Sequence, residues 1–155
     1  MTTAFVTTRR VEFSDTDAAC IMHFAAFFRM MEQAEHELLR SVGLSVVMQD
    51  AEGKVSWPRV AAKCDFRSAA RFEDVLQIEV QIARLGTRSI TYGHRFLRDG
   101  QLLAEGQITA VCCRVALDQP PQSMPIPLAF AEKLRTFVTA APASTAPTAA
   151  PARRA

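Results

Sequence analysis

The sequence lacks a charge excess of either sign: 18 lysines and arginines stand against 16 aspartates and glutamates, a formal net charge of +2 over 155 residues. Binding nucleic acid through electrostatics needs a basic patch or stripe, so that class is not indicated, and an acidic ligand must be held locally. Nothing in the chain resembles an attached DNA-binding module. Long apolar runs are missing as well, and the opening MTTAFVTTRRVEF quickly becomes charged and alternating. Neither a secretory leader nor a membrane-spanning helix is expected, which makes the cytoplasm the expected location and leaves no membrane partner. The four cysteines, Cys20, Cys64, Cys112 and Cys113, show no CxxC and no Cys/His ligand spacing. They read as reduced, mostly buried thiols with no metal among them, and the neighbours Cys112 and Cys113 should point to opposite faces of a strand.

What is present is ordinary for a chain with one core: 49% hydrophobic and 22% charged residues in a length that suits one domain. Residues 5–14 alternate around Val6, Val11 and Phe13 and predict a half-buried strand. Ser14-Asp15-Thr16-Asp17 breaks it, because short polar side chains compete for backbone amides and favour turns. Then Phe24, Phe27, Phe28, Met31, Ala34, Leu38 and Val42 recur at helical spacing, predicting a helix over 22–42 that stops at Gly43, with Arg29, Glu35 and Arg40 on its other faces.

An apolar turn over 44–48 and a loop over 50–53 lead to strands at 57–66, 76–82, 90–96 and 102–117. Asp99-Gly100 marks the last hairpin, and Gly106 marks a bulge or a close approach of the helix. Pro120-Pro121 ends the sheet, and a short helix follows Pro125-Ile126-Pro127. Residues 1–139 form the expected domain. Residues 140–155, rich in Ala and Pro, are expected to be disordered, because they cannot bury enough apolar surface to offset their ordering entropy. The fold class is α+β: one long helix in the concave face of a curved, mainly antiparallel five-stranded sheet. A single helix cannot cover both faces, so a second copy should cover the other face or an edge, giving a homo-oligomer.

Three segments carry a resemblance. Val11-Glu12-Phe13-Ser14-Asp15-Thr16-Asp17-Ala18-Ala19 before a Phe-rich helix, residues 66–76 (FRSAARFEDVL), and residues 99–106 (DGQLLAEG) come in the order and spacing of the 4-hydroxybenzoyl-CoA thioesterase family, the YbgC-like branch included. The resemblance covers residues 5–139 and implies a hotdog fold and hydrolysis of an acyl-CoA thioester to free acid and CoA. No cofactor or metal is implied, since coenzyme A is part of the substrate.

Asp17 falls on the family's catalytic carboxylate, acting as nucleophile or as general base toward water; on cap preference alone it is a helix N-terminal cap. Asp15 is read as a turn-forming or capping residue. The Phe24 amide, at the positive end of the helix, takes the family's oxyanion-binding place. His23 beside it is read as lining the pocket or hydrogen bonding, with general-base action as the sharper alternative. Phe27 is core and acyl contact, and Glu32 meets a polar acyl end across a subunit interface or pairs with Arg29 or His36. For the CoA phosphates the resemblance favours Arg88 and Ser89, with Arg59, Arg67 and Arg71 as further candidates. Ala19-Cys20 stand where many relatives carry Gly, and Ala26-Phe27 where they carry an Asn-Tyr pair, which makes the pocket less polar and bears on the acyl group more than on the reaction; an aromatic or short-to-medium acyl-CoA is the expected substrate. Homodimer or homotetramer, and CoA or carrier-protein thioester, stay open at this point, as does a non-catalytic acyl-CoA-binding role.

Overall fold

A computed structural model describes residues 3–139; the expected Ala/Pro tail lies outside them. The alternating N-terminal segment forms β1 (Phe5–Arg10), shorter than the expected 5–14 because Phe13–Asp15 wind into a 3-10 turn; Val11 is buried, but Val6 and Phe13 are exposed. The helix α1 spans Phe24–Ser41 and buries Ala26, Phe27, Met30, Met31, Ala34, Glu35, Leu38 and Leu39. It starts two residues later than its apolar spacing suggests, because Met22 bridges Thr16 and its amide is taken by the Ala70 carbonyl at 2.8 Å. It stops where expected: Gly43, at φ +70°, donates to the Arg40 carbonyl while the Leu44 amide reaches back to the Leu39 carbonyl, a Schellman ending.

Four further strands, β4 (Arg59–Phe66), β5 (Val75–Leu85), β6 (Ser89–Arg98) and β7 (Gln101–Val111), join β1 in an antiparallel sheet of order β1-β5-β6-β7-β4. Even-numbered residues of β5 and β6 face α1, so Leu76, Ile78, Val80, Ile82, Ile90, Tyr92, His94 and Phe96 are all buried. The hairpin between β6 and β7 turns on Asp99 (φ +50°) and Gly100 (φ +79°), the left-handed pair that an Asp-Gly turn supplies. At Gly106 the helix is close: a Cβ there would lie 2.1 Å from Met31 Cε and 2.8 Å from its sulfur. The glycine serves helix packing rather than a bulge, since the register between β6 and β7 runs unbroken through it. This is the α+β hotdog arrangement, a long helix against a five-stranded antiparallel sheet.

Three local expectations are corrected. The stretch read as turn and loop contains β2 (Met48–Asp50) and β3 (Gly53–Ser56), which join β8 (Cys113–Val115) and β9 (Gln122–Ser123) in a second sheet of order β2-β3-β8-β9. Its tie is remote in sequence: Arg114 reaches the Asp50 carboxylate at 2.6 and 2.9 Å. The strand expected to run unbroken over 102–117 stops at Cys112, whose amide turns to the Arg88 carbonyl (2.8 Å) and whose own carbonyl accepts from Met124 (2.8 Å). Glu35, placed by the sequence reading on another face of the helix, is instead buried against the sheet.

Cys112 and Cys113 are buried, Cys64 is half-buried and Cys20 is exposed. Burial pushes the thiols of Cys64 and Cys112 up to about 11. The outer sheet face is polar and tied by ion pairs such as Arg95–Glu79 (2.8 Å) and Arg67–Glu105 (2.5 Å). The β4 edge exposes apolar side chains, Val60 at 61% and Phe66 at 51%. The short helix α2 (Leu128–Leu134) packs Phe130 against Trp57, ring centroids 4.8 Å apart.

Candidate active site

The polar break after β1 folds into two successive turns that give its two aspartates different work. In the first, a 3-10 turn over Phe13–Asp15, Asp15 Oδ2 accepts the Glu12 amide at 2.9 Å, and its carbonyl takes the His23 amide at 2.7 Å. Oδ1 faces Arg29 at 3.5 Å, so Asp15 is consumed in capping. In the second, the Asp17 amide donates to the Ile21 carbonyl (3.0 Å), and the Asp17 carbonyl accepts from Cys20 (2.9 Å). Cys20 is forced to φ +60°, a strained conformation for a residue with a Cβ. One carboxylate oxygen of Asp17, Oδ1, takes the Ala19 amide at 2.8 Å; among the described residues Oδ2 has no hydrogen-bond partner. The carboxylate is thereby oriented by one oxygen and free at the other.

Helix α1 begins directly beyond this turn. Its N-cap is His23, not Asp17: the imidazole Nδ1 accepts the Ala25 amide at 3.2 Å and the His23 carbonyl accepts that of Ala26 at 2.9 Å. Among the described residues the Phe24 amide has no acceptor. A free N–H at a helix start, with the helix dipole behind it, is a ready site for negative charge.

Asp17 and Phe24 line one cavity of about 360 Å³, together with Ile21, Met22, Phe27 and the segment 66–70 that leaves β4. Phe27 forms its floor, edge-on to Phe66 and Phe96 at 5.1 Å each. A larger cavity, about 690 Å³, opens beside α2, but it is lined mainly by Leu85, Pro125, Ile126, Leu128 and Val138 and holds no carboxylate. The smaller cleft is where a carboxylate, an unpaired amide and aromatic walls converge, and convergence matters more than size.

The remaining expected site residues fall elsewhere in the chain. His23 and Glu32 do not line the cleft. Glu32 pairs with neither Arg29 nor His36 but lies 3.7 Å from Arg59, whose guanidinium is held at 2.7 Å by Glu35. Arg88 donates to the Ser123 carbonyl at 2.8 Å, and the Ser89 carbonyl takes the Gly86 amide. Ser89 begins the strand whose Phe96 packs behind Phe27, so it stands roughly 24 Å along β6 from that ring. Two of the further arginines are nearer: Arg67 lines the cleft, and Arg71 reaches the Cys20 carbonyl at 3.4 Å across the Asp17 turn. The sequence reading missed Ile21, Met22, Phe66 and Ala70 as walls; only chain folding brings residues 66–70 to residue 17. Among the described residues there is no cluster of three or more His, Cys, Asp or Glu that would hold a metal ion, and no helix long and apolar enough to cross a membrane.

A hotdog frame with such a cleft defines a hydrolase of the thioester-cleaving class. Residues 11–134 match the thioesterase-like superfamily, and the chain belongs to that family. It is 34% identical over 111 residues to a 1,4-dihydroxy-2-naphthoyl-CoA hydrolase of Synechococcus sp. (strain WH7803), covering 67% of this chain and 72% of that one. The acyl-CoA thioester hydrolase YbgC of Escherichia coli O6:H1 is 28% identical over 80% of this chain and 92% of its own. Among solved structures, a 1,4-dihydroxy-2-naphthoyl-CoA thioesterase from Synechocystis superposes with a TM-score of 0.77 at 25% identity, covering 86% of this chain and 96% of that chain.

Proposed function

We propose that this protein hydrolyses an acyl-CoA thioester to free acid and CoA, with Asp17 as its catalytic carboxylate. The observation that carries the reading is the pairing, in one cleft, of a carboxylate with a free oxygen and a helix-start amide with no acceptor. Asp17 either attacks the thioester carbon, expelling CoA thiolate and leaving a mixed anhydride that water opens, or takes a proton from a water that attacks directly. In both routes the carbonyl oxygen becomes negative and is met by the Phe24 amide, a fixed dipole that needs no reorganisation.

The acyl group is aromatic or of short-to-medium length. Ile21, Met22, Phe24, Phe27 and Phe66 offer it apolar walls, and two of the relatives above act on a bicyclic aromatic acyl-CoA. An acyl-carrier-protein thioester is the alternative substrate, and a non-catalytic acyl-CoA-binding role the alternative function.

The working unit in this reading is a homodimer, or a homotetramer built as a dimer of dimers, joined at the exposed β4 edge. Antiparallel pairing of that strand with a second copy sets Arg59 opposite Phe66, since they are its two ends. The Arg59 end of the sheet also carries Ala110 and Ser89 in adjacent strands. Such pairing brings Glu32, Arg59, Arg88 and Ser89 of the partner subunit toward the cleft. Glu32 would then meet a polar acyl end and Arg59, Arg88 and Ser89 the CoA phosphates, with Arg67 and Arg71 at the rim on the near side. The domain spans residues 1–139, and the setting is the cytoplasm, where thiols such as Cys20 stay reduced.

The test is thiol release from purified protein over a panel of aromatic and aliphatic acyl-CoAs and carrier thioesters. Asp17→Asn should lower kcat by about 10²–10⁴-fold with unchanged unfolding behaviour. A well-folded variant with near-normal turnover refutes the assignment, and no thiol release from any thioester by the unaltered protein favours the binding role.

A further inference from the structure

Glu35 is the one carboxylate fully buried among the described residues, 1% exposed on the face of α1 that meets the sheet. Its Oε2 lies 2.7 Å from the Arg59 guanidinium, and its Oε1 lies 3.4 Å from Nε2 of His94, itself 2% exposed; both are close approaches of charge and ring nitrogen without hydrogen-bond alignment. The phenol of buried Tyr92 is pushed up by desolvation and by the nearby Glu35 charge. Helix α1, strand β4 and strand β6 thus meet at one polar knot inside an otherwise apolar interface. None of Glu35, Arg59, Tyr92 and His94 lines the Asp17 cleft.

A buried ion pair is poor evidence for stability, because desolvating both charges costs about what their attraction returns, and apolar residues of similar volume often do as well. What opposite charges fixed at one buried point supply is a preferred seat, since the pair is strongest at one position of the helix. The apolar packing of α1 beside Glu35 includes Met30 and Met31, unbranched side chains that specify a helix position less sharply than a fixed charge pair does. Arg59, by contrast, comes from a strand whose register shifts between Arg59 and Ala61, a bulge of the kind that re-aims a side chain. Glu35 and Phe24 belong to one unbroken helix, about 16 Å apart along its axis. A slide or rotation at Glu35 therefore arrives undiminished at the Phe24 amide.

We propose that Glu35 is a positioning residue: gripped by Arg59 and His94, it fixes the seat of α1 so that the Phe24 amide meets the oxyanion formed beside Asp17. The proposal rests on the reading of the cleft given above. In it, His94 presents Nε2–H to the carboxylate, and the network contributes to kcat rather than to substrate affinity.

Removing Glu35 alone strands the Arg59 charge, so the test removes the whole network with Glu35→Met, Arg59→Met and His94→Leu together. The expected protein unfolds cooperatively at or above the original midpoint and loses about 10- to 100-fold in kcat, as misplacement of a catalytic group by an ångström does; KM is read from the His94 variants, which leave Arg59 in place. His94→Gln and His94→Leu are measured beside it. The glutamine amide donates from nearly the position of Nε2 and should retain kcat, whereas leucine should not. A folded triple variant with unaltered kcat, a His94→Leu loss confined to KM, or equal kcat for the two His94 variants overturns the proposal. The His94 pair decides even if the triple variant does not fold. Asp17→Asn in the same assay separates the two premises: turnover surviving that change breaks the reading of the cleft, while an inactive Asp17→Asn with a fully active triple variant breaks the positioning role alone.

Discussion

Gly106→Ala puts a single methyl group where the helix and sheet are closest. Its Cβ would lie 2.1 Å from Met31 Cε and 2.8 Å from the sulfur, against ordinary contact at 3.4–4 Å, so the thioether must retreat by more than an ångström. Retreat is hindered, because Met31 is completely buried and the Lys63 carbonyl stands 3.1 Å from the new carbon on the other side. Two terms oppose each other. Loss of glycine's freedom in the unfolded chain stabilises by about 0.4–1 kcal/mol, since Gly106 is not held at positive φ. Overpacking a well-filled core costs about 1–3 kcal/mol, and it wins. A net loss of about 1–2 kcal/mol lowers Tm by roughly 3–8 °C in a domain of this size. Urea and thermal unfolding measure it, and Met31→Ala supplies the control. In the Gly106→Ala background that second change should cost about 1 kcal/mol less than it does alone, because the new methyl fills part of the vacated space. Gly106→Ala stability within about 0.5 kcal/mol of the parent, or strict additivity in the cycle, refutes the reasoning.

Two further outcomes are expected. Asp74 feels burial, which raises its pKa, and the Arg71 amide and Arg98 guanidinium, which together lower it further, so the net shift is downward. Asp74→Asn should then cost about 1–2 kcal/mol at neutral pH. That difference persists above the unfolded carboxylate range, near about 4, and fades as pH falls through the lower folded value; a pH-independent difference in unfolding free energy contradicts it. His23→Ala should cost about 1 kcal/mol of stability by removing the acceptor of the Ala25 amide, while His23→Asn, a good cap, should restore both stability and turnover. Restored stability without turnover would instead give the imidazole a chemical role.

Legibility followed the range of the forces involved. The stripe from Phe24 to Leu38, the stop at Gly43 and the Asp99-Gly100 turn are written in neighbouring residues, because helical spacing and left-handed turns are local requirements. Gly106 was legible as a close approach, though not its partner. The Asp15–Asp17 segment announced a polar turn before a helix, and its division of labour came from the fold: Asp15 caps its own turn, and His23 took the cap that Asp17 was equally suited to fill.

Sequence by itself determined the α+β class, the approximate places of the five strands of the main sheet, the family and the choice of candidate carboxylate, since these depend on periodicity and on short contiguous segments. Tertiary structure alone decided the second sheet, whose hairpin is held by Arg114 from sixty-odd residues away. It also decided the cleft walls from residues 66–70 and the inward turn of Glu35. Glu35 occupies a position of the apolar stripe, one turn after Met31 and one before Leu39, yet a carboxylate there is read as solvated until a guanidinium is known to await it. The physical reason is common to all three: a buried charge or an extra strand is stable only through partners distant along the chain, and no local pattern specifies where those partners will be.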